Sequence, residues 1–367
     1  MISKKVTHLI TTIERGGAEK QLLTLTNEQV QSGIKVEVIF LKGKPELKKE
    51  FEESGVEVNQ LLVGKNFLKQ ISLLSKYLRQ NRSPIHAHLP KSEILAAIVV
   101  SNKYFVFTRH NSEPFWPSGP RIISNLLSKF VCKRASQGIA ISNAVKSYLI
   151  KRGEIPTGYI IDVVYYGFQK NGSNNSAGLN SITNLINSQS SNLKIGTIGR
   201  LVPQKDYPTL LIAFSNVLEK LPDAELYIVG EGYLQKQLME LCKSLGVSSK
   251  VHWLGKTEYI NEFLSKIDLF ILPSKYEGFG LVLLEAMVAK KPIIAANNSA
   301  IPEVLGKTYK GLFSTGDVSA LAQLIKAGVS DEKFSESLVQ SYRSQLNLFD
   351  PSDMNINIKN VYSNAGF

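Results

Sequence analysis

Along the chain, short β-branched and apolar runs alternate with longer segments in which apolar residues recur every three or four positions, as in strands followed by amphipathic helices. In the first half this pattern predicts strands near Lys5–Thr12, Lys35–Leu41, Val56–Leu62, Ile85–His88, Tyr104–Thr108, Gly138–Ile141 and Tyr159–Val164. Helices such as Ala18–Ser32, Phe67–Gln80 and Ser92–Val100 separate them. The second half repeats the rhythm, with strands near Lys194–Ile198, Glu225–Val229, Val251–Leu254, Leu269–Leu272, Pro292–Ala295 and Gly311–Phe313. Strand–helix–strand alternation implies parallel sheets joined by right-handed crossovers. The expected fold class is therefore α/β, with two doubly wound domains and a ligand cleft at the carboxyl ends of both sets of strands.

A composition break separates the halves. From Gln169 to Asn192 the chain is rich in Asn and Ser, carries one charge and has no aromatic residue. Such a segment cannot offset its ordering entropy by burial, so residues 169–192 are expected to be a linker or a long exposed loop. The length, 367 residues, allows each half its own core, and 43% hydrophobic with 9% aromatic residues excludes disorder. The longest apolar run, Ile94–Val100, falls far short of the ~20 residues that span a bilayer. The start, with its short β-branched run followed by Glu14 and Arg15, is expected to be a first strand and not a signal peptide. Cys132 and Cys242 have no CxxC and no neighbouring His cluster, so neither a disulfide framework nor a zinc site is expected, consistent with a cytoplasmic protein.

Charge changes this picture by its distribution. The formal net charge is +12, and residues 1–168 hold 24 Lys+Arg against 13 Asp+Glu, a net of +11. The remainder holds 19 against 18. The first half is expected to meet something anionic: a nucleic acid, a lipid surface or a phosphorylated substrate.

Three predicted strand ends carry candidate chemistry. After the first strand, Gly16 and Gly17 let the backbone approach a ligand at a helix N-terminus, although a simple tight turn has the same pattern. Neither GxGxxG nor GxxxxGK[ST] occurs, which argues against nicotinamide and nucleoside-triphosphatase sites. After the first strand of the second half, Arg200 and Lys205 stand five residues apart and suit a diphosphate, one as a planar fork and one as a point charge. After the strand Leu269–Leu272, the segment Glu277-Gly278-Phe279-Gly280-Leu281 enters a helix that bears Glu285. There the amides of Phe279, Gly280 and Leu281 face an anion, while Glu277 and Glu285 accept hydrogen bonds from sugar hydroxyls. Anion donors beside hydroxyl acceptors describe a nucleotide sugar.

Taken in order, GGAE at Gly16–Glu19, HAHLP at His86–Pro90, TRH at Thr108–His110, AIS at Ala140–Ser142, the run ending at Gly167, GRLVPQKD at Gly199–Asp206, VGEG at Val229–Gly232 and EGFGLVLLE at Glu277–Glu285 resemble the retaining glycosyltransferases of family 4. The resemblance implies the GT-B fold, two Rossmann-like domains facing across a cleft, with residues 1–168 on the acceptor side and 193–349 on the donor side. It also implies that the closing helix, within 350–367, returns to the first domain. By the same resemblance, Glu285 binds the donor ribose and Glu277 the transferred sugar. Arg200 and Lys205 bind the diphosphate, Gly16 and Gly17 lie against it from the other domain, and His110 lies near the transferred sugar. Where the family often has Asn-Gly, this chain has Tyr166-Gly167, and an altered hinge is the expected consequence.

The implied reaction moves a hexosyl unit, with retention, from a nucleotide-diphosphate sugar to a saccharide or lipid-phosphate-linked acceptor in polysaccharide or glycolipid synthesis. No DxD motif occurs, so no metal and no other cofactor is expected. The helix Leu68–Gln80, with Lys69, Lys76 and Arg79 beside leucines, is a candidate for peripheral attachment to the anionic inner face of a membrane; a helix packed on its own sheet fits too. Two alternatives remain: a catalytically silent sugar-nucleotide-binding subunit, and a nucleic-acid-binding protein. The second is disfavoured because the chain lacks basic–aromatic motifs.

Overall fold

The computed structural model describes residues 4–81, 83–100, 105–169, 186 and 192–367. Apart from Gln169, Ile186 and Asn192, the predicted linker lies outside the described residues, as does Tyr104 of the predicted fifth strand. The chain divides into two compact units, Met1–Gln169 with Leu348–Phe367, and Lys170–Asn347.

Unit 1 is built on seven parallel strands: β1 (Lys5–Ile10), β2 (Lys35–Phe40), β3 (Glu57–Asn59), β4 (Ile85–His88), β5 (Phe105–Arg109), β6 (Gln137–Ala140) and β7 (Ile161–Val163). Its helices are α1 (Gly17–Gln31), α2 (Lys48–Glu53), α3 (Phe67–Gln80), α4 (Pro90–Val99), α5 (Arg121–Arg134) and α6 (Asn143–Arg152). The sheet order is β3-β2-β1-β4-β5-β6-β7, so the strand order reverses between β1 and β4. Both faces are covered, which is why the strands are near-continuous apolar runs. Alternate residues go to opposite sides: Val36, Val38 and Phe40 join one core cluster, Ile39 and Leu41 the other.

Unit 2 has six parallel strands: β8 (Lys194–Ile198), β9 (Glu225–Val229), β10 (Val251–Gly255), β11 (Leu269–Leu272), β12 (Ile293–Ala296) and β13 (Leu312–Phe313). Their order is β10-β9-β8-β11-β12-β13, with the reversal between β8 and β11. The helices are α7 (Tyr207–Leu218), α8 (Gln235–Ser244), α9 (Ile260–Lys266), α10 (Leu281–Val288), α11 (Ile301–Leu305), α12 (Val318–Ser330) and α13 (Glu332–Tyr342). The last helix, α14 (Pro351–Asn364), belongs to unit 1 and places Met354, Ile358, Val361 and Tyr362 in the same core cluster as β1 and β2.

One expectation changes. Three leucines of α3 turn inward and not to a membrane: Leu74 is fully buried, and Leu73 and Leu78 pack on the core cluster that includes β4 and β5, while Leu68 of the same helix is exposed. The outward apolar stripe of unit 1 lies instead on α5, whose Ile122, Ile123, Leu126 and Phe130 are exposed. Cys132 and Cys242 are both buried and unpaired, and burial pushes their thiols up to about 12 and about 11, so neither is a reactive thiolate.

Candidate functional site

In unit 2 the predicted residues meet at the point of strand reversal. Adjacent strands β8 and β11 send their carboxyl-end loops to the same place. Lys275 N donates to Gln204 O at 2.7 Å and Gln204 Nε2 to Tyr276 O at 2.9 Å, stitching the loops together. Lys205 follows on a short 3-10 turn, Pro203–Lys205, and its Nζ reaches Glu277 Oε1 at 2.5 Å, both side chains being largely buried. The lysine stem runs across Gly199, where any Cβ would press on it, and Tyr207 OH donates to Gly199 O at 2.7 Å. Asp206 then turns into the left-handed region, φ +47°, and accepts from Thr209 Oγ1 at the start of α7.

A third loop, after β12, supports Glu277 from behind. Glu277 N donates to Ser299 Oγ at 2.7 Å, Ser299 Oγ donates to Asn298 Oδ1, and Asn298 Nδ2 donates to Ser274 O. Ser299 sits at φ +45°, a conformation costly for a residue with a Cβ. Ser299, Asn298 and Gln204 were not anticipated; the Asn-Asn-Ser cluster directly after an apolar strand was the available signal. Gly280, at φ +89°, caps α10, so Leu281 is the first helical residue. Its helix dipole adds partial positive charge there. Phe279 is buried, and Glu285 is half-buried on the second turn of α10. Arg200 is exposed and makes no side-chain hydrogen bond or ion pair among the described residues. The two predicted cations thus differ: Lys205 is held by Glu277, and Arg200 is available to a ligand.

In unit 1, Gly16 caps α1 in an extended conformation. Its lack of a Cβ serves a neighbour, since the Glu19 carboxylate curls back to where that Cβ would be. Burial raises the Glu19 carboxyl above its ordinary value. Gly17 begins the helix.

His110 ends a chain of hydrogen-bonded histidines that the strand register assembles. His8 stands opposite His86, and Ile10 opposite His88, on adjacent β1 and β4. With the Gln29 amide as placed, its Nε2 donates to Tyr362 OH and its Oε1 accepts from His8 Nε2 at 2.8 Å. His8 Nδ1 must then accept from His88 Nε2 at 2.9 Å, and His88 Nδ1 from His110 Nε2 at 3.1 Å. His110 Nδ1 accepts from Tyr166 OH at 2.6 Å. His86 is held on a branch, accepting from Tyr362 OH at 2.8 Å and donating to Thr108 Oγ1 at 2.7 Å. Burial lowers His8 to about 4 and His110 to about 3, and pulls His86 and His88 well below the ordinary 6.5, so the rings are neutral. His8, His86 and His88 have ligand nitrogens within 4.8 Å of one another, a metal-like spacing. All six of those ring nitrogens already have protein partners, so the donor set fits a hydrogen-bonded chain better than an ion.

Arg109, beside His110, is buried between acids: its Nε donates to Glu93 Oε2 at 2.8 Å, its Nη1 lies 3.6 Å from Glu154 Oε2, and Phe115 stacks on its guanidinium. The arginine of the TRH segment thus anchors the loop that carries His110. Tyr166 places its buried hydroxyl on the candidate catalytic histidine.

The family described as Glycosyl transferases group 1 matches residues 184–345, and that described as Glycosyltransferase Family 4 matches residues 15–167. The chain is 34% identical over 142 residues to N-acetyl-alpha-D-glucosaminyl L-malate synthase of Bacillus anthracis, covering 36% of this chain and 37% of that one. It is 35% identical over 136 residues to a GDP-mannose-dependent monoacylated alpha-(1-6)-phosphatidylinositol monomannoside mannosyltransferase of Corynebacterium glutamicum, covering 34% of this chain and 35% of that one. The matched stretches span less than two-fifths of the length of these two relatives. Among solved structures, Anabaena HepE in complex with UDP superposes with a TM-score of 0.80 at 22% identity, over 98% of this chain and 99% of that one. Sucrose-phosphate synthase of Thermosynechococcus elongatus superposes with a TM-score of 0.79 at 18% identity, over 98% of both chains.

Proposed function

Because the chain belongs to family 4 of the glycosyltransferases and has their GT-B fold of two parallel-sheet α/β domains, we propose that it is a retaining, metal-independent hexosyltransferase. It takes a nucleotide-diphosphate sugar as donor and a saccharide or lipid-phosphate-linked acceptor, and serves polysaccharide or glycolipid synthesis. The observation that carries this reading is the Lys205–Glu277 pair, set where the strand order of unit 2 reverses, with exposed Arg200 and the N-terminus of α10 on the same group of loops.

Breaking the bond from the anomeric carbon to the diphosphate leaves an oxocarbenium-like sugar and adds negative charge to the leaving group. Arg200 offers a fork of donors to that charge, and Lys205 has three N–H donors, of which Glu277 takes one. The amides of Phe279, Gly280 and Leu281 add the dipole of α10. Glu277 accepts from a hydroxyl of the transferred sugar and holds Lys205 in place. Glu285 accepts from the ribose. Retention follows when the acceptor arrives on the leaving-group face and a phosphate oxygen takes its proton. His110, neutral and committed at both ring nitrogens, offers the sugar a packing surface and not a proton acceptor. Residues 193–349 take the donor; residues 1–168 and the closing helix take the acceptor, and Gly16 and Gly17 of that domain lie against the donor diphosphate. Among the described residues no helix is long and apolar enough to cross a membrane. The basic first half suits peripheral placement on an anionic cytoplasmic surface.

A thermal-shift panel of UDP, GDP and ADP sugars tests the assignment. One base is expected to raise Tm, and the shift is expected to vanish in Lys205→Ala. No shift with any of them, or an equal shift in the variant, sinks the donor site. Proton NMR of the product reads the anomeric outcome.

A further inference from the structure

We propose that the outward face of α5 docks unit 1 on an anionic lipid surface. This deepens the membrane placement suggested above and is independent of the donor site, because vesicle binding and sugar transfer can each fail while the other persists.

The helix is inside-out. Its buried positions include Ser124 and Ser128, both fully buried, and these hydroxyls serve the interior: Ser124 Oγ accepts from Trp116 N, and Ser128 Oγ accepts from Arg109 Nη2 and donates to Glu154 O. Its solvent side carries Ile122 at 75% exposure, Leu126 at 62%, and Ile123 and Phe130 beside them. At about 100° per residue, Ile122, Ile123, Leu126, Lys129, Phe130 and Lys133 fall within an arc of about 120°, and Ser124, Ser128 and Val131 fall on the opposite side. A stripe of large apolar residues with two exposed lysines among them is the composition of a helix that lies in a lipid interface. Trp116, just before the helix, is 44% exposed, as an interfacial anchor would be.

Charge selects the occupant. From Pro114 to Gly153 the chain holds seven Lys and Arg and no Asp or Glu. The next acid, Glu154, is buried against Arg109 and Arg152 and does not offset the surface charge. Apolar side chains in the stripe argue against a purely electrostatic partner, and an acid-free segment with exposed lysines argues against one that is merely apolar. An anionic headgroup layer over acyl chains satisfies both, with the lysine stems lying along the apolar side chains and their ammonium groups at the phosphates.

The chain has two tryptophans, so a Trp253→Phe background leaves Trp116 as a reporter next to the surface. In that background, co-sedimentation and brominated-lipid quenching are measured with mixed phosphatidylcholine–phosphatidylglycerol vesicles and with phosphatidylcholine alone. The expected result is binding to the mixed vesicles with quenching of Trp116, weakened by salt. The pairs Ile122→Ser with Leu126→Ser and Lys129→Glu with Lys133→Glu are each expected to lose about tenfold or more in partitioning. Circular dichroism and Tm should be unchanged, since these side chains are exposed. Undiminished binding by either pair overturns the proposal, as does equal binding to neutral vesicles. Concentration-dependent dimerisation that Ile122→Ser abolishes would reassign the stripe to a second copy of the chain. Duplex DNA retention lost in the lysine pair, without vesicle binding, would reassign it to nucleic acid.

Discussion

Acidification should destabilise unit 1 through its histidines. His8, His86 and His88 are at most 1% exposed, and their ring nitrogens are committed to one another and to Gln29, Tyr362, Thr108 and His110. Folded, they stay neutral to well below 6.5, with burial the chief cause. Unfolded, they take up protons as pH falls through about 6.5. The unfolded state therefore binds more protons in the window below 6.5, and stability falls with pH there. At about pH 5 the difference is about 2 kcal/mol per ring, or about 6 kcal/mol for the three. His110 keeps partial solvent contact and is left out of this sum. Glu93 acts in the opposite direction. Burial pushes it up to about 7 against the pull of Arg109, so the folded state gains a proton in the same interval, worth about 2 kcal/mol. Glu19 and Glu28, also raised by burial, oppose the histidines in the same sense. A net loss of at most about 4 kcal/mol is large against a typical domain stability of about 5–15 kcal/mol.

The histidine contribution can be isolated by difference. Urea unfolding of Trp253→Phe, followed by Trp116 emission, reports unit 1 at about pH 7.5 and about pH 5. Adding His8→Gln removes one ring and leaves every carboxylate in place. The variant is expected to be less stable at the higher pH, yet to lose about 2 kcal/mol less on acidification. Equal losses in the two proteins would refute the argument, as would a loss that begins only below about pH 4, where carboxylates titrate.

At the donor site, Lys205→Ala should lower kcat/KM by about 10²–10³, as removal of one leaving-group donor typically does. Glu277→Gln keeps the shape and removes the charge, so a loss of turnover with donor affinity retained, seen as a fall in kcat at unchanged KM, is expected. Tyr166→Phe deletes the hydrogen bond to His110 Nδ1 and should destabilise unit 1 by about 1 kcal/mol, read from the urea midpoint followed by Trp116 emission. Chelator added to a working assay should leave the rate unchanged; a loss restored by a divalent cation would overturn neutralisation by Arg200, Lys205 and α10.

Much of this architecture was legible in the sequence for a physical reason. Strands covered on both faces become continuous apolar runs, so Lys194–Ile198, Glu225–Val229 and Leu269–Leu272 could be bounded to the residue. The loops after β8 and β11 were legible because their Gly, Pro and Asp residues mark turns, and the parallel topology then brings Lys205 to Glu277 across 72 positions. The histidine chain was not legible. His8, His86, His88 and His110 are joined by strand register, and only the sheet reveals that a residue on β1 faces two on β4. Periodicity also marks an apolar stripe without saying which way it turns, so the sequence leaves α3 open between a membrane face and a helix packed on its own sheet, and only the structure shows the outward stripe on α5. Three of the four described non-glycine residues with positive φ, Leu89, Asp206 and Ser299, lie in loops at candidate site elements, where the backbone takes conformations no residue-type pattern announces.

The last helix also has a consequence for how the chain is made. Unit 1 comprises residues 1–169 together with 348–367, so its core lacks Met354, Ile358, Val361 and Tyr362 until the 178 residues of unit 2 have been synthesised. At about 5–20 residues per second that interval is roughly 10–35 s. Throughout it, His86 has no Tyr362 hydroxyl to accept from, and the part of the first core that Met354, Ile358, Val361 and Tyr362 complete stays open beside the ribosome. The continuous second unit can close on itself as it emerges. The nascent first unit is thus the stage at which a chaperone, or a misplaced neighbour, has longest to act.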